Sequence, residues 1–432
     1  MKICVLGQWH LGSVTSSCLA SLGHQVVGLD EDVSLINLLS SGEAPIFEPG
    51  LNELLGKGLA NHSLRFTTDF VDALSDVELL WVAIDTPVDE NDKADIDSVY
   101  RAIEKSISFL SPNSIVIVSS QLPVGSINKI ENYCALNFPS KQIYFACIPE
   151  NLRLGNALEV FLRPDRLIVG CRNRDQSKQI EALIASITTR VEWVSVESAE
   201  MIKHAINSFL AMSISYANEI AALCEYVGAD AKEVERGLKT DQRIGVNSYV
   251  APGTAFAGGT LARDIDFLAK VGVEVGVTIP LLNAIKQSND GHKKWVQRKI
   301  LENFPSLNGV TITVWGITYK PGTDTLRRSL AVEMIEWLIA QGSSIKIYDP
   351  IVKDLPPRWS GQVQHCLMPK ESLLDSRALL IYSEWPQFIS DALEVNQLIN
   401  DPFVVIDPKR HIVSSIKNPL VKYIAVGMGE IT

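Results

Sequence analysis

A chain of 432 residues with a formal charge of −11 is too long for one hydrophobic core and too acidic to hold nucleic acid non-specifically, since no Lys/Arg cluster offsets the charge locally. Its 46% hydrophobic and 21% charged residues are those of an ordinary soluble globular protein, which excludes a disordered chain. No apolar run reaches the roughly eighteen residues that a membrane span needs, so two or three domains with neither nucleic-acid nor membrane partners are expected.

The seven cysteines are odd in number, scattered and without C-x-x-C spacing. They read as reduced core thiols of a cytoplasmic protein, and no metal site is expected from them. Met1-Lys2 leads straight into a strand, which leaves no room for a signal peptide and again points to the cytoplasm.

At the N-terminus KICVL is an apolar run, followed by the glycine turn GQWHLG, a helical stretch to about Leu22, then Gly23 and a second strand, HQVVGLD, ending in Asp30. Strand, glycine turn, helix, strand and terminal acid is the arrangement of a dinucleotide-binding β-α-β unit. Gly7 and Gly12 hold the outer glycine positions and Trp9 the middle one, where a bare backbone normally approaches a pyrophosphate. Either the cofactor is displaced, the turn is remodelled, or nothing binds there. Asp30, about 18 residues beyond Gly12, can hydrogen-bond a ribose 2′-hydroxyl, which favours NAD over NADP.

Further strands are predicted at Val77–Ile84, Ser114–Ser119, Gln142–Ile148 and Arg166–Val169, separated by helical or loop stretches. Alternation of this kind gives a doubly wound parallel sheet, in which ligands sit beyond the carboxyl ends of strands. Thr86-Pro87, Ser120-Gln121-Leu122-Pro123 and Pro149-Glu150-Asn151 therefore border the expected cleft, each stiffened by proline.

One uninterrupted helix is predicted from Ser198 to Val227, about 45 Å long, with Ser198 as cap, Glu200 near its positive end and Gly228 as stop. Lys203 and Asn207 stand at i and i+4 on one face, beside His204. Lys203 is either a paired structural ion or a working cation. After a second helix, AKEVERGL, and the loop DQRIG, a helical stretch runs from Ile279 to about Phe304. GVTITVWG, a helix at Leu330–Ala340, Gly342 and SIKIYDP then repeat the plan of residues 2 to 30, which predicts a second Rossmann-like domain. Its turn carries Lys320 and Arg327, cations suited to phosphates unless they are plain surface charge.

Taken in order, GQWHLG with Asp30, IFEPGLNELL, TPVDENDKADI, LPVGS, PENLRLG, the central helix with Lys203 and Asn207, DQRIG, APGTAFAGG, ITYKPGTDTLRRS, YDP and SEWPQF resemble the UDP-glucose/GDP-mannose dehydrogenase family of nucleotide-sugar dehydrogenases. The resemblance covers the entire chain. It implies an α/β protein with two Rossmann-like doubly wound domains joined by a long central helix. An NAD-binding domain would span 1–195, a helical dimerisation domain 196–300 and a nucleotide-sugar-binding domain 301–432. It also implies NAD as cofactor, a nucleotide sugar as substrate and a homodimer built on the central helices.

Members of that family oxidise the C6 alcohol of an NDP-sugar to a carboxylate with two NAD⁺. An aldehyde forms first, a cysteine thiolate captures it, oxidation gives a thioester, and water releases the acid. The cysteine lies in a loop that usually reads GGSCFPKD. Here GGTLARD is read as one residue shorter, with Leu261 where the thiol should stand. The glutamate taken as base for thioester hydrolysis corresponds to Leu154, and the threonine that helps hold the reacting water to Gln121. Lys203, Asn207 and Asp264 remain, the trio that the resemblance assigns to alkoxide stabilisation and to water or proton handling.

By the same resemblance Gly7, Gly12, Asp30, Thr86, Gln121 and Arg327 hold the cofactor. Glu150, Asn151, Leu152, Tyr249, Gly253, Phe256 and Lys320 hold the sugar nucleotide, and Arg243 reaches the partner subunit's substrate site. Cys147 and Thr260 are weaker candidates for a replacement nucleophile. The retained residues favour a single two-electron oxidation of an NDP-sugar alcohol. A four-electron oxidation to a uronic acid without a thioester and a non-catalytic nucleotide- or sugar-binding homologue are the alternatives.

Overall fold

The computed structural model describes residues 1–87, 94–172 and 174–429. Residues 88–93, within the TPVDENDKADI stretch, lie outside them. The chain divides into two compact units, 1–206 and 207–432.

The first unit is built on an eight-stranded sheet of β1 (Lys2–Leu6), β2 (Gln25–Leu29), β3 (Leu64–Thr67), β4 (Leu79–Val82), β5 (Ile115–Val118), β6 (Tyr144–Cys147), β7 (Leu167–Cys171) and β8 (Val191–Val194). The order is β3-β2-β1-β4-β5-β6-β7-β8, and every pairing is parallel except β6 with β7. β4 (LLWV) and β5 (IVIV) are buried along their whole length, the uninterrupted apolar run that a sheet covered on both faces requires. Successive residues part to opposite faces: Leu79, Trp81, Ile115 and Ile117 join one core cluster, Leu80, Val82, Val116 and Val118 the other. The chain order reverses between β1 and β4, so the crevice beyond their carboxyl ends is the natural ligand position. β3 and β8 escape the sequence reading because neither is a buried apolar run: the unforeseen LRFT and VEWV expose Arg65, Glu192 and Trp193.

The long helix runs from Val196 to Val227, 32 residues, and begins two residues before the expected start. Its cap is Ser195 rather than Ser198, because the Ser198 N–H donates to Ser195 Oγ at 3.2 Å. Glu200 does not serve its own helix end. Its carboxylate accepts the Gly125 and Ile127 N–H groups at 2.7 and 2.9 Å, at the start of the helix Ser126–Asn137. Gly228 follows the last turn at φ +73°, as a left-handed stop requires.

The second unit holds a six-stranded parallel sheet of β9 (Thr311–Trp315), β10 (Ser344–Tyr348), β11 (Val363–His365), β12 (Ala378–Ile381), β13 (Phe403–Ile406) and β14 (Val421–Ile424), in the order β11-β10-β9-β12-β13-β14. Ile312 and Val314 face one apolar cluster, Trp315 the other. The stretch from Ile279 to Phe304 is two helices, Pro280–Lys293 and Trp295–Asn303, parted at Lys294. With the helix Thr260–Glu274 the first of these encloses a small cluster of Ala211, Ile265 and Ile285.

Candidate active site

The glycine turn of the first unit is short. Gly7 closes β1 at φ +86° and its N–H donates to Leu29 O, while the helix His10–Ser21 begins only three residues later. A Cβ on Gly12 would sit 1.6 Å from Gly7 O, so helix and turn touch through bare backbone. Gln8 is fully buried, bonding Val5 O and the Ser16 hydroxyl. Trp9, in the middle position, is half exposed. Asp30 stands at the end of β2, accepting the Gln8 N–H on Oδ2 at 2.7 Å and the Asp32 N–H on Oδ1 at 3.0 Å.

Sequence reasoning passed over Asp85, just beyond β4. Its Oδ2 accepts the Leu11 N–H at 2.9 Å, in the first turn of the helix. Glu48, from the IFEPG stretch, is also buried there. It pairs with His10 Nε2 at 2.9 Å and accepts the Gly155 and Ala157 N–H groups. Thr86 donates its hydroxyl to Gln121 O at 2.7 Å, which joins the two expected cofactor residues at the ends of β4 and β5.

Lys203 is nearly buried and held by Glu150. Its Nζ donates to Glu150 O at 2.6 Å and lies 3.1 Å from Glu150 Oε1, while Glu150 Oε2 accepts the Leu152 N–H. Asn151 lies exposed beside them, and Leu152 packs on the core. His204 points to a different partner, donating from Nε2 to Leu122 O at 3.0 Å. Between these groups is a cavity of about 20 Å³, lined by Gln121, Leu122, Cys147, Glu150, Glu200 and Lys203 among others, with room for a single water. Burial raises the Glu200 carboxyl above its usual range and pushes the Cys147 thiol well up, so Cys147 is a poor nucleophile.

In the second unit Asn207 donates from Nδ2 to Asp264 Oδ2, and the Asp264 side chain is fully buried. Asp264 lies in the helix Thr260–Glu274, unbroken from Thr260 and preceded by Gly259 at φ +105°. In GGSCFPKD the cysteine stands four residues before the aspartate. Counted back from Asp264 that spacing falls on Thr260, one turn earlier in the helix, next to Leu261. Thr260 is exposed, whereas Leu261 packs against the Ala211, Ile265 and Ile285 cluster. No cysteine occurs in the sequence between Cys224 and Cys366.

The loop from Tyr249 to Gly259 is fixed by side chains that the sequence did not single out. Asn218 Oδ1 accepts the Gly253 N–H, His292 Nε2 donates to Gly253 O at 2.7 Å, and Asn289 bonds both the N–H and the carbonyl of Phe256. Buried polar residues on otherwise apolar helix faces were the available signal. Tyr249 is half exposed. Lys320 and Arg327 both lie on the loop between Gly316 and Ser329, and a Cβ on Gly259 would meet the Arg328 guanidinium of that loop at 2.4 Å. Arg243 is exposed and turned onto its neighbour Asp241 through two bonds of 3.0 and 2.7 Å.

Two doubly wound sheets, the first with a glycine turn and an acid at the end of its second strand, define a Rossmann-type nucleotide-binding protein. Residues 1–188 match the NAD binding domain of the UDP-glucose/GDP-mannose dehydrogenase family, 197–291 its central domain and 313–414 its UDP binding domain. The chain belongs to that family. It is 31% identical over 402 residues to a UDP-glucose 6-dehydrogenase of Pseudomonas aeruginosa, covering 90% of this chain and 88% of the relative. It is also 31% identical over 409 residues to the UDP-glucose 6-dehydrogenase TuaD of Bacillus subtilis, covering 94% and 88%. The solved structure of a UDP-glucose dehydrogenase from Pyrobaculum islandicum superposes with a TM-score of 0.88 at 27% identity, over 99% of this chain and 97% of that one.

NAD is thus the cofactor of the first domain, as Asp30 led one to expect. The bare contact between Gly7 and Gly12 and the placement of Asp30 suit a dinucleotide. Among the described residues no helix is long and apolar enough to cross a membrane.

Proposed function

We propose that this chain carries out a single NAD-dependent two-electron oxidation of an NDP-sugar alcohol. The reading is supported by the presence of Lys203, Asn207 and Asp264 in a sequence that has no cysteine between Cys224 and Cys366. Lys203 is held by Glu150, and Asn207 is held by the buried Asp264. One helical turn before Asp264 stands Thr260, a hydroxyl with no base assigned to it.

NAD, when bound, supplies the hydride acceptor. Gly7, Gly12, Asp30, Thr86, Gln121 and Arg327 would hold it. Lys203 stabilises the oxygen that loses its proton, and its bond to Glu150 O fixes the ammonium in place. Asn207, steadied by Asp264, orients the reacting oxygen or a water. Without sulfur the aldehyde or ketone product is not tethered, and the Leu154 position offers no carboxylate to drive hydrolysis of an ester. Glu150, Asn151, Leu152, Tyr249, Gly253, Phe256 and Lys320 would contact the sugar nucleotide.

A homodimer fits the same reading. Phe209, Tyr216 and Leu223 recur at seven-residue intervals along the long helix and are about half exposed or more (60%, 48% and 62%), an apolar stripe suited to a second copy. Arg243 would then reach the partner subunit's substrate.

The test is to incubate the purified protein with NAD and each of UDP-glucose, GDP-mannose and the UDP-N-acetyl sugars, counting NADH per sugar consumed. One equivalent is expected. Two equivalents with a uronate product would replace this reading by the four-electron one, and no NADH with any donor would leave a binding homologue.

A further inference from the structure

We propose that Asp85 is a built-in competitor of the cofactor's pyrophosphate and so sets how tightly, and for which ligands, the dinucleotide site is open. The inference rests on the NAD-binding assignment of residues 1–188.

A dinucleotide's pyrophosphate binds at the N-terminus of the first helix because the N–H groups there have no partner within the helix and carry partial positive charge. In this chain the N-cap residue is Trp9, whose side chain has no acceptor, and the first turn holds no acid of its own. The end is served from another element instead: Asp85, on the loop after β4, brings its carboxylate to the Leu11 N–H at 2.9 Å. β4 pairs with β1 at the point where the strand order reverses, so the carboxylate lies in the crevice a dinucleotide would cross.

An incoming pyrophosphate meets a negative group already bonded to one of the donors it needs. Either Asp85 swings away and Leu11 N–H passes to phosphate, or the carboxylate stays and repels it; each lowers affinity. Thr86, the next residue, is bonded to Gln121 O. Moving Asp85 therefore disturbs the contact between the β4 and β5 loops, and phosphate arrival is coupled to that contact.

The experiment uses the full chain as wild type, Asp85→Asn and Asp85→Ser, with NAD, ADP-ribose and adenosine titrated calorimetrically against each. Asp85 is exposed and both replacements are small and polar, so both variants are expected to fold. ADP-ribose and NAD should bind the variants about tenfold tighter or more, the size of one like-charge contact removed from a partly screened site. Adenosine, which has no phosphate, should bind all three alike. Equal affinity of wild type and variants for ADP-ribose overturns the proposal, as does an equal gain for adenosine. If all three proteins ignore NAD and adenosine alike, the NAD assignment fails and the proposal with it, whereas strong unchanged binding by all three overturns the proposal alone.

Discussion

The two sheets open with the same strand, glycine turn, helix and strand-acid plan, yet spend the acid differently. Asp349 ends β10 as Asp30 ends β2. Asp349 is buried, and its two oxygens accept four backbone N–H groups, from Ile317 and Thr318 on one side and Ile351 and Val352 on the other. Asp30 is only partly buried and accepts two, from Gln8 and Asp32. The turns differ in the same sense. Helix follows Gly7 after two residues in the first unit, whereas in the second a loop carrying Lys320, Arg327 and Arg328 lies between Gly316 and the helix Leu330–Ala340. A carboxylate with all its capacity used is structural, while one with capacity left over can meet a ligand. One plan thus yields a compact backbone cradle in one unit and an anchored, cation-bearing loop in the other.

The largest effect is expected away from both acids. Lys203→Met should cut NADH formation by about 100-fold to 10,000-fold and also lower the unfolding midpoint, since Glu150 O and Oε1 lose their partner in a largely buried site. A variant that kept near-wild-type turnover would move the chemistry elsewhere.

The two acids can then be set against each other. Asp349→Ala strands four backbone N–H groups, three of them in buried bonds, and should cost about 4 kcal/mol, read from denaturant unfolding. Asp30→Ala should cost about 1 kcal/mol while weakening NAD binding in a calorimetric titration. Equal stability losses would erase the distinction between them.

The glycines give a finer comparison. Gly7→Ala adds a Cβ 2.7 Å from Ile84 Cα at φ +86°, and Gly322→Ala adds one at φ +82° in open space. The first should lose about 3 kcal/mol and the second about 1 kcal/mol, measured as shifts in thermal midpoint.

The smallest effect concerns pH. Burial holds His292 below its ordinary value of 6.5, and its bond to Gly253 O offsets this only in part. The unfolded chain therefore takes up a proton at higher pH than the folded one. The His292 contribution is complete above the ordinary value and is lost as pH falls through 6.5 toward the folded value. Unfolding midpoints between pH 8 and pH 5.5 should show a loss that His292→Gln flattens; an unchanged slope would mean that His292 carries a proton in the fold.

Much of this was legible in the sequence. Strong apolar runs and the terminal acids revealed β1, β2, β9 and β10, and unbroken helical composition marked the stop at Gly228. Edge strands such as LRFT carried no such signal, because an edge need bury only one side. Caps were misplaced where a serine stood two or three residues from the true end, as at Ser195 and Ser198. At the candidate site, residue types were readable but partners were not. Glu150 was named as a substrate contact without its hold on Lys203, and Asp85 passed unnoticed because its bond to Leu11 spans 74 residues of chain.

Glu200 has a mechanical consequence. It stands one turn before Lys203 on the long helix, and its carboxylate clasps the start of the helix Ser126–Asn137. Gln121 to Gly125 and the Lys203 ammonium are thus braced as a single lever within the first unit. A tilt of that stretch of helix that left the start of the helix Ser126–Asn137 behind would have to break both of these hydrogen bonds.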